Sequence, residues 1–335
     1  MRKVEVIFFL VGIIILVYLV HAFGLGKLIG NLRDNAWIIF ALIGTYFGVY
    51  LLNTGAFRIV LGKETSRISF PQLFSITVSG FAINYVTPFV NLGGEPYKIH
   101  ALSKKLEASQ SVSSVVSFRM LHLLAHLFSW LTAIILAFFF IDITIPLLLL
   151  LLVTGSIILA LIALVFLGHE KGLFEKVLKL LSKVSFLRLF AQKLQQKEEV
   201  ILQIDEEIRH FYHERKKDFY GALGLEYLSR IVQSIELYLI FSTLSAPFNF
   251  VEIYFIFAAT SLISNLLFFF PMEIGVKEGG LFAVLSYFLF SPLLSIYIAV
   301  LIRIREFFWI AFGLGMILVN GGWTRVAQIT GGKKG

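Results

Sequence analysis

At 335 residues the chain is 58% hydrophobic and only 15% charged, with a mean hydropathy of +0.86. A soluble domain of this size cannot cover so much apolar surface, which makes the chain an integral membrane protein with no room for a separate soluble catalytic domain. It has no cysteine, excluding disulfides, thiolate metal sites and cysteine nucleophiles, and its net charge of +8 sits in loops and tails, where it reports topology and not nucleic acid.

Met1-Arg2-Lys3 followed by apolar sequence from Val4 to Val20 resembles a signal peptide, but no small-residue cleavage site follows and many more spans do. The expectation is an uncleaved first span, Val4 to Phe23, with the N-terminus in the cytoplasm. Ala36 to Leu52 pairs with it as a hairpin. The next loop carries Arg58, Lys63 and Arg67 and is placed in the cytoplasm by its basic excess. Ser69 to Val90 is apolar, then Thr87-Pro88-Phe89-Val90-Asn91-Leu92-Gly93-Gly94-Glu95-Pro96 cannot continue a helix. Lys98, Lys104 and Lys105 beyond the break read as cytoplasmic again. Both flanks of 69–106 therefore lie on one side, and a re-entrant hairpin with a protein-buried or wet tip resolves this.

Ser111 to Ile141 crosses, and Pro146 to Leu167 crosses back. The stretch 168–218 is a cytoplasmic connector; His169 to Lys217 alone holds eleven Lys and Arg residues. Leu173, Val177, Leu180, Leu181 and Val184 recur at helical spacing, as do Leu194, Ile201, Ile204, Ile208 and Phe211, giving two amphipathic helices that lie on the membrane or pack together. Tyr220 to Leu244 leaves the cytoplasm and Val251 to Phe270 starts from outside. Pro271-Met272-Glu273-Ile274-Gly275-Val276-Lys277-Glu278-Gly279-Gly280 then breaks the apolar run, and Leu281 to Leu289 is too short to span, so 251–290 is expected to be a second re-entrant hairpin. Ser291 to Asn320 is the final span, delivering Arg325, Lys333 and Lys334 to the cytoplasm.

The two breaks share a pattern. Pro88 precedes Glu95 by seven residues and Pro271 precedes Glu278 by seven, each glutamate lies beside glycines, and each break is followed by a span with arginines: Arg119 in one, Arg303 and Arg305 in the other. Because one hairpin opens inward and the other outward, an inverted internal repeat is inferred, and paired Gly/Pro-interrupted segments are the sequence-level pointer to a transporter's substrate site. The expected fold is an all-α polytopic bundle, 1–335, with two re-entrant hairpins.

The segments "TPFVNLGGEPYKIHALSK" and "PMEIGVKEGGLFAV", in that order in an apolar chain of this length, resemble the flippase-like membrane domain of the lysylphosphatidylglycerol synthase transmembrane family. Gly93, Gly94, Glu95, Gly275 and Glu278 match its pattern, while Met272-Glu273-Ile274 stands where relatives commonly carry a second Pro-Gly-Gly run. The resemblance implies paired re-entrant helices and movement of lipid-linked, often anionic or aminoacylated, substrates between leaflets. The chain is expected to be a stand-alone member without the family's aminoacyltransferase domain, and not to synthesise lysyl-lipid by itself.

Glutamate inside hydrocarbon is costly unless paired or hydrated, and arginine is its natural partner. Glu95 and Glu278 with Arg119, Arg303 and Arg305 are therefore either permanent ties holding the re-entrant tips or groups that exchange a carboxylate for a substrate phosphate. Arg119, His122 and His126 share one helix face but lack third and fourth metal ligands, so no metal is expected; relay histidines and satisfied interior histidines both remain open. Glu226 and Arg230 form an i, i+4 pair with Gln233 alongside, either a cavity wall or a local helix pair. Asn84 and Asn265, just before the breaks, are expected to cap freed backbone groups. No P-loop, HExxH or Rossmann fingerprint is present and no cofactor is expected.

The leading functional expectation is a plasma-membrane transporter, both termini cytoplasmic, that moves a membrane lipid or polyisoprenoid-linked substrate, with a lipid-modifying enzyme as a further partner. The competitors are a membrane-embedded transferase or hydrolase with a glutamate base and an arginine stabilising developing charge, and a non-transporting scaffold whose buried charges stay dry.

Overall fold

A computed structural model describes residues 30, 33, 35–87, 93–168, 198–244, 248–267, 270, 273, 275–288 and 292–319. The expected first span, residues 88–92 of the first break, the amphipathic segment 169–197, Pro271, Met272, Ile274 and the C-terminal tail lie outside these residues. Every element described is helical, and the protein is an all-α membrane-type bundle.

Among the described residues ten α-helices follow one another: α1 (Trp37–Leu61), α2 (Phe70–Val86), α3 (Gly94–Leu102), α4 (Ala108–Phe140), α5 (Ile145–Gly168), α6 (Glu198–His213), α7 (Lys216–Thr243), α8 (Phe250–Leu266), α9 (Val276–Tyr287) and α10 (Pro292–Val319). Their starts are legible in local chemistry. Asn249 caps α8 by accepting from the N–H groups of Val251 and Glu252 at 2.9 and 3.0 Å, while Glu252 returns a bond to the Asn249 N–H. Ser69 with Gln72, and Glu107 with Gln110, make the same reciprocal arrangement at α2 and α4. Pro96 interrupts nothing, because it falls in the first turn of α3, where a missing N–H costs no helical bond.

Among the described residues three segments, Trp37–Arg67, Ala108–Phe140 and Ile145–Phe166, are long and apolar enough to cross a membrane. α7 and α10 are each 28 residues long but carry Glu226, Arg230 and Glu236, and Arg303, Arg305 and Glu306, so mean apolarity understates them. α5 turns Leu149, Leu150, Leu152, Val153 and Leu161 outward, as a helix facing acyl chains should.

α1 and α7 pack along each other at the centre, α2 lies against α10, α8 lies against α4, and the short helices α3 and α9 sit on α2 and α8 respectively before the chain enters α4 and α10. The main apolar core lies between α1, α4 and α7, where Phe57 and Phe118 stack with ring centroids 4.5 Å apart. α6 docks on α4 and α7 with Ile208 and Phe211 buried, so this half of the amphipathic connector packs on the bundle.

Three expectations need correction. The second span does not end at Leu52: α1 runs to Leu61, because Asn53 and Thr54 face the protein interior and Thr54 Oγ1 donates to the Tyr50 carbonyl at 2.7 Å. Arg58 is thus helical and not part of a loop. Lys98 is not an exposed loop cation: its side chain is 2% exposed, with Nζ 4.7 Å from the Phe81 ring centroid and 5.3 Å from that of Phe118. Asn265 does not cap a broken end, because its Nδ2 donates to the Ser261 carbonyl of its own helix at 2.9 Å.

Candidate functional site

A cavity of about 420 Å³ lies where α1, α2, α4, α7, α8, α9 and α10 converge. Its wall includes Arg119, His122, His126, Arg230, Arg303, Arg305 and Glu278 among the residues singled out from sequence. Glu95, Glu226, Gly93, Gly94 and Gly275 are not part of the wall; they stand behind it or shape the helix ends that form it. The hydroxyls of Thr260 and Ser264 at the wall are buried with no hydrogen-bond partner among the described residues.

The two breaks meet this region through different local chemistry. At the first, Gly94 opens α3, and a Cβ there would fall on the Gly80 carbonyl of α2. The missing side chain lets the two backbones touch, and the Gly94 N–H donates to Asn84 Oδ1 at 2.6 Å, the capping role expected of Asn84. Asn84 Nδ2 in turn donates to Glu95 Oε1 at 3.3 Å. Lys98 Nζ at 3.8 Å and Arg119 at 3.9 Å share that same oxygen, while Glu95 Oε2 is buried with no hydrogen-bond partner among the described residues. Arg119 keeps its side chain 40% exposed.

At the second break Gly275 sits at φ 83°, a left-handed conformation that suits glycine, and starts α9. Its N–H donates to Glu278 Oε2 at 2.8 Å, so Glu278 caps the helix it belongs to. Arg303 Nε donates to Glu278 Oε1 at 2.7 Å, its Nη1 to Glu306 Oε2 at 2.8 Å and its Nη2 to the Glu273 carbonyl at 2.9 Å. Arg305 makes a forked pair with Glu236 at 2.7 and 2.8 Å and sits over Tyr46, its guanidinium carbon 3.5 Å from the ring centroid. Lys277 Nζ reaches Glu306 Oε1 at 2.6 Å, Glu273 Oε2 at 3.0 Å and the Tyr85 hydroxyl at 3.0 Å. Every charge in this half is tightly matched.

A third cluster lies along α4 and α7. Glu226 Oε2 is 2.8 Å from His122 Nδ1 and 3.1 Å from the Arg230 guanidinium, which also meets His122 Nδ1 at 3.1 Å, His126 Nε2 at 3.2 Å and Gln233 at 3.4 Å. The i, i+4 pair on α7 is therefore both a local helix pair and, through Arg230 and Gln233, part of the cavity wall.

Sequence reasoning missed Glu236, Glu306, Lys277, Lys98, Tyr46 and Tyr85. Two signals were present. Glu236 continues the α7 stripe of Glu226, Arg230 and Gln233 by one further step of three, and Glu306 stands three residues after Arg303. The tyrosines are placed by tertiary packing and leave no trace in local sequence. Among the described residues no group of three or more His, Asp or Glu is arranged to hold a metal ion.

Helices too polar for lipid, packed so that their charges turn inward around a cavity, define a polytopic membrane protein with a polar interior site. A family model described as the lysylphosphatidylglycerol synthase TM region matches residues 6–315, and the chain belongs to that family. It is similar, at 23% identity over 333 residues covering 95% of this chain and 96% of the relative, to a UPF0104 membrane protein of Methanothermobacter thermautotrophicus. No solved structure matches the chain.

Proposed function

We propose that this protein moves a lipid or lipid-linked anionic headgroup between the leaflets of the plasma membrane, with the headgroup passing through the central cavity and the acyl or polyisoprenoid part remaining in lipid. The observation that carries this reading is Arg119. Of the cations on the cavity wall, Arg230, Lys277, Arg303 and Arg305 are each held by a carboxylate at 3.1 Å or less, whereas Arg119 has only a 3.9 Å approach to Glu95 and a half-open side chain. A loosely paired guanidinium facing a cavity is a docking point for a phosphate, which it meets with parallel N–H donors. The Thr260 and Ser264 hydroxyls, at the same wall and without hydrogen-bond partners among the described residues, are further polar groups near this point.

The helix pairings support an inverted repeat as the transport framework. Exchanging α1 with α7, α2 with α8, α3 with α9 and α4 with α10 maps every packed pair among these eight helices onto a packed pair, α1–α7 onto itself. In this reading α2–α3 and α8–α9 are re-entrant hairpins from opposite sides, both termini are cytoplasmic, and a lipid-modifying enzyme supplies or consumes the substrate.

The test is Arg119→Gln in vesicles of phosphatidylethanolamine and phosphatidylglycerol. Translocation of fluorescent phosphatidylglycerol, followed by quenching of the outer leaflet, should fall to near the protein-free rate while the variant inserts and elutes like wild type. Unchanged translocation in Arg119→Gln, or none in wild type, removes this reading.

A further inference from the structure

We propose that His122, Glu226 and Arg230 form a proton-binding site whose occupancy is linked to that of an anion at Arg119; this rests on the headgroup site just described and adds its coupling ion. His122 Nδ1 and Glu226 Oε2 are 2.8 Å apart, a separation at which two bare lone pairs repel, so the pair holds at least one proton. Arg230 stands 3.1 Å from both atoms and always donates. With the proton on Nδ1, His122 donates to Glu226 and Arg230 bonds the carboxylate alone. With the proton on Glu226, Arg230 donates to the bare Nδ1 and to the carboxyl group together. Nε2 is bare in the first arrangement and carries the ring hydrogen in the second, so the second holds one proton more; that proton is gained and lost at Nε2 with the heavy atoms in place. Glu226 Oε1 and Arg230 Nε, buried with no hydrogen-bond partner among the described residues, leave the cluster incompletely satisfied.

The surroundings tie that proton to an anion. From α4, Arg119 and His126 share the His122 face; from α7 come Glu226 and Arg230; from α3 come Lys98 and, beyond it, Glu95. α2 presents the Phe81 ring at 5.4 Å, and α1 adds the neutral Asn53 and Tyr50 to the cavity wall. With the histidines neutral, Lys98, Arg119 and Arg230 face Glu95 and Glu226, so an added proton on His122 raises a positive excess that a phosphate at Arg119 offsets. His122 is one helical turn from Arg119 and lines the same cavity, which gives the proton an aqueous route. A proton on His122 and an anion at Arg119 attract each other, and by reciprocity each strengthens the binding of the other. The two would then cross together.

The test uses the full chain with nitrogen-15 histidine in nanodiscs of phosphatidylcholine, with and without phosphatidylglycerol, titrated between about pH 5 and pH 8. The His122 ring signals are those lost in His122→Gln. The expected result is at least about fivefold tighter proton binding at His122 when phosphatidylglycerol is present, and no such change in Arg119→Gln. No change in wild type, no titration of His122 in this range, or an equal change in Arg119→Gln, as a mere surface-charge effect would give, overturns the proposal. In vesicles, the ratio of translocation rates at the two ends of the pH range should be several-fold for wild type and near one for His122→Gln, read as a ratio within each protein. A wild type that shows the linkage but no translocation removes the transport reading and leaves the proton site standing.

Discussion

The forked Arg305–Glu236 pair offers the sharpest test of how the interior charges are balanced. Its bonds are 2.7 and 2.8 Å and the two side chains are 4% and 6% exposed, so water does not screen the pair. Glu236→Gln preserves shape and one acceptor but leaves a guanidinium buried without its counter-charge, a loss of about 3–5 kcal/mol in buried pairs. Glu306 stands 3.9 Å from Arg305 and the Tyr46 ring lies beneath it, which compensates in part; Glu306 is already shared with Lys277 and Arg303. The lower end, about 3 kcal/mol, is therefore expected, read as a fall of several degrees in Tm of the detergent-purified protein by tryptophan fluorescence. The double variant Glu236→Leu/Arg305→Met removes both charges and should recover most of that loss, because apolar replacement of a complete buried pair is close to neutral. An unchanged Tm for Glu236→Gln, or a double variant as unstable as the sum of the two single changes, would refute the reasoning.

Glu278→Gln should cost less stability than Glu236→Gln, because Arg303 keeps Glu306 at 2.8 Å and the Glu273 carbonyl at 2.9 Å, and Gln still accepts from the Gly275 N–H; with Glu95→Gln it should insert normally and lose most phosphatidylglycerol translocation in vesicles. If both variants transport normally but melt markedly lower, the glutamates are structural ties. Single cysteines replacing Lys105 and Lys197 should resist an impermeant thiol reagent in intact cells, and labelling of either from outside would reverse the proposed topology.

What could be read from sequence followed from how strongly each residue violates its expected solvent. Arg119, Arg303, Arg305 and Glu278 stand out because a charge in an apolar run has few solutions, and all four reach the cavity wall. Lys98 was misread for the complementary reason: a lysine a few residues from Lys104 and Lys105 looks like loop charge, and only the packing of α3 against α2 and α4 shows that it is enclosed by Phe81 and Phe118. The second span was ended at Leu52, just before Asn53 and Thr54, although polarity alone does not tell a loop from a helix face turned toward a polar interior. Glu95 and Glu278, equivalent by their spacing from proline, differ in what they do. Glu278 caps its own helix, whereas Glu95 leaves the capping of α3 to Asn84 and shares one oxygen among three donors.

That difference bears on how a headgroup could pass. Glu273, in the second break, holds φ 53°, a backbone conformation that costs a non-glycine residue roughly 1–2 kcal/mol. Its carbonyl is held by Arg303 and its carboxylate by Lys277, so the surrounding ion pairs impose the strained backbone. Those same two cations share Glu306, which also accepts from Tyr85 of α2. A movement that frees Glu273 must therefore break contacts to both Arg303 and Lys277, and it disturbs the Tyr85 link to α2 as it does so. Among the described residues, the cations near the first break approach Glu95 only loosely, Lys98 at 3.8 Å and Arg119 at 3.9 Å. In the proposed transport reading, an anion at Arg119 competes with a weak partner at the first break, while the second stays fixed until a phosphate draws Arg303 or Lys277 away from its carboxylates.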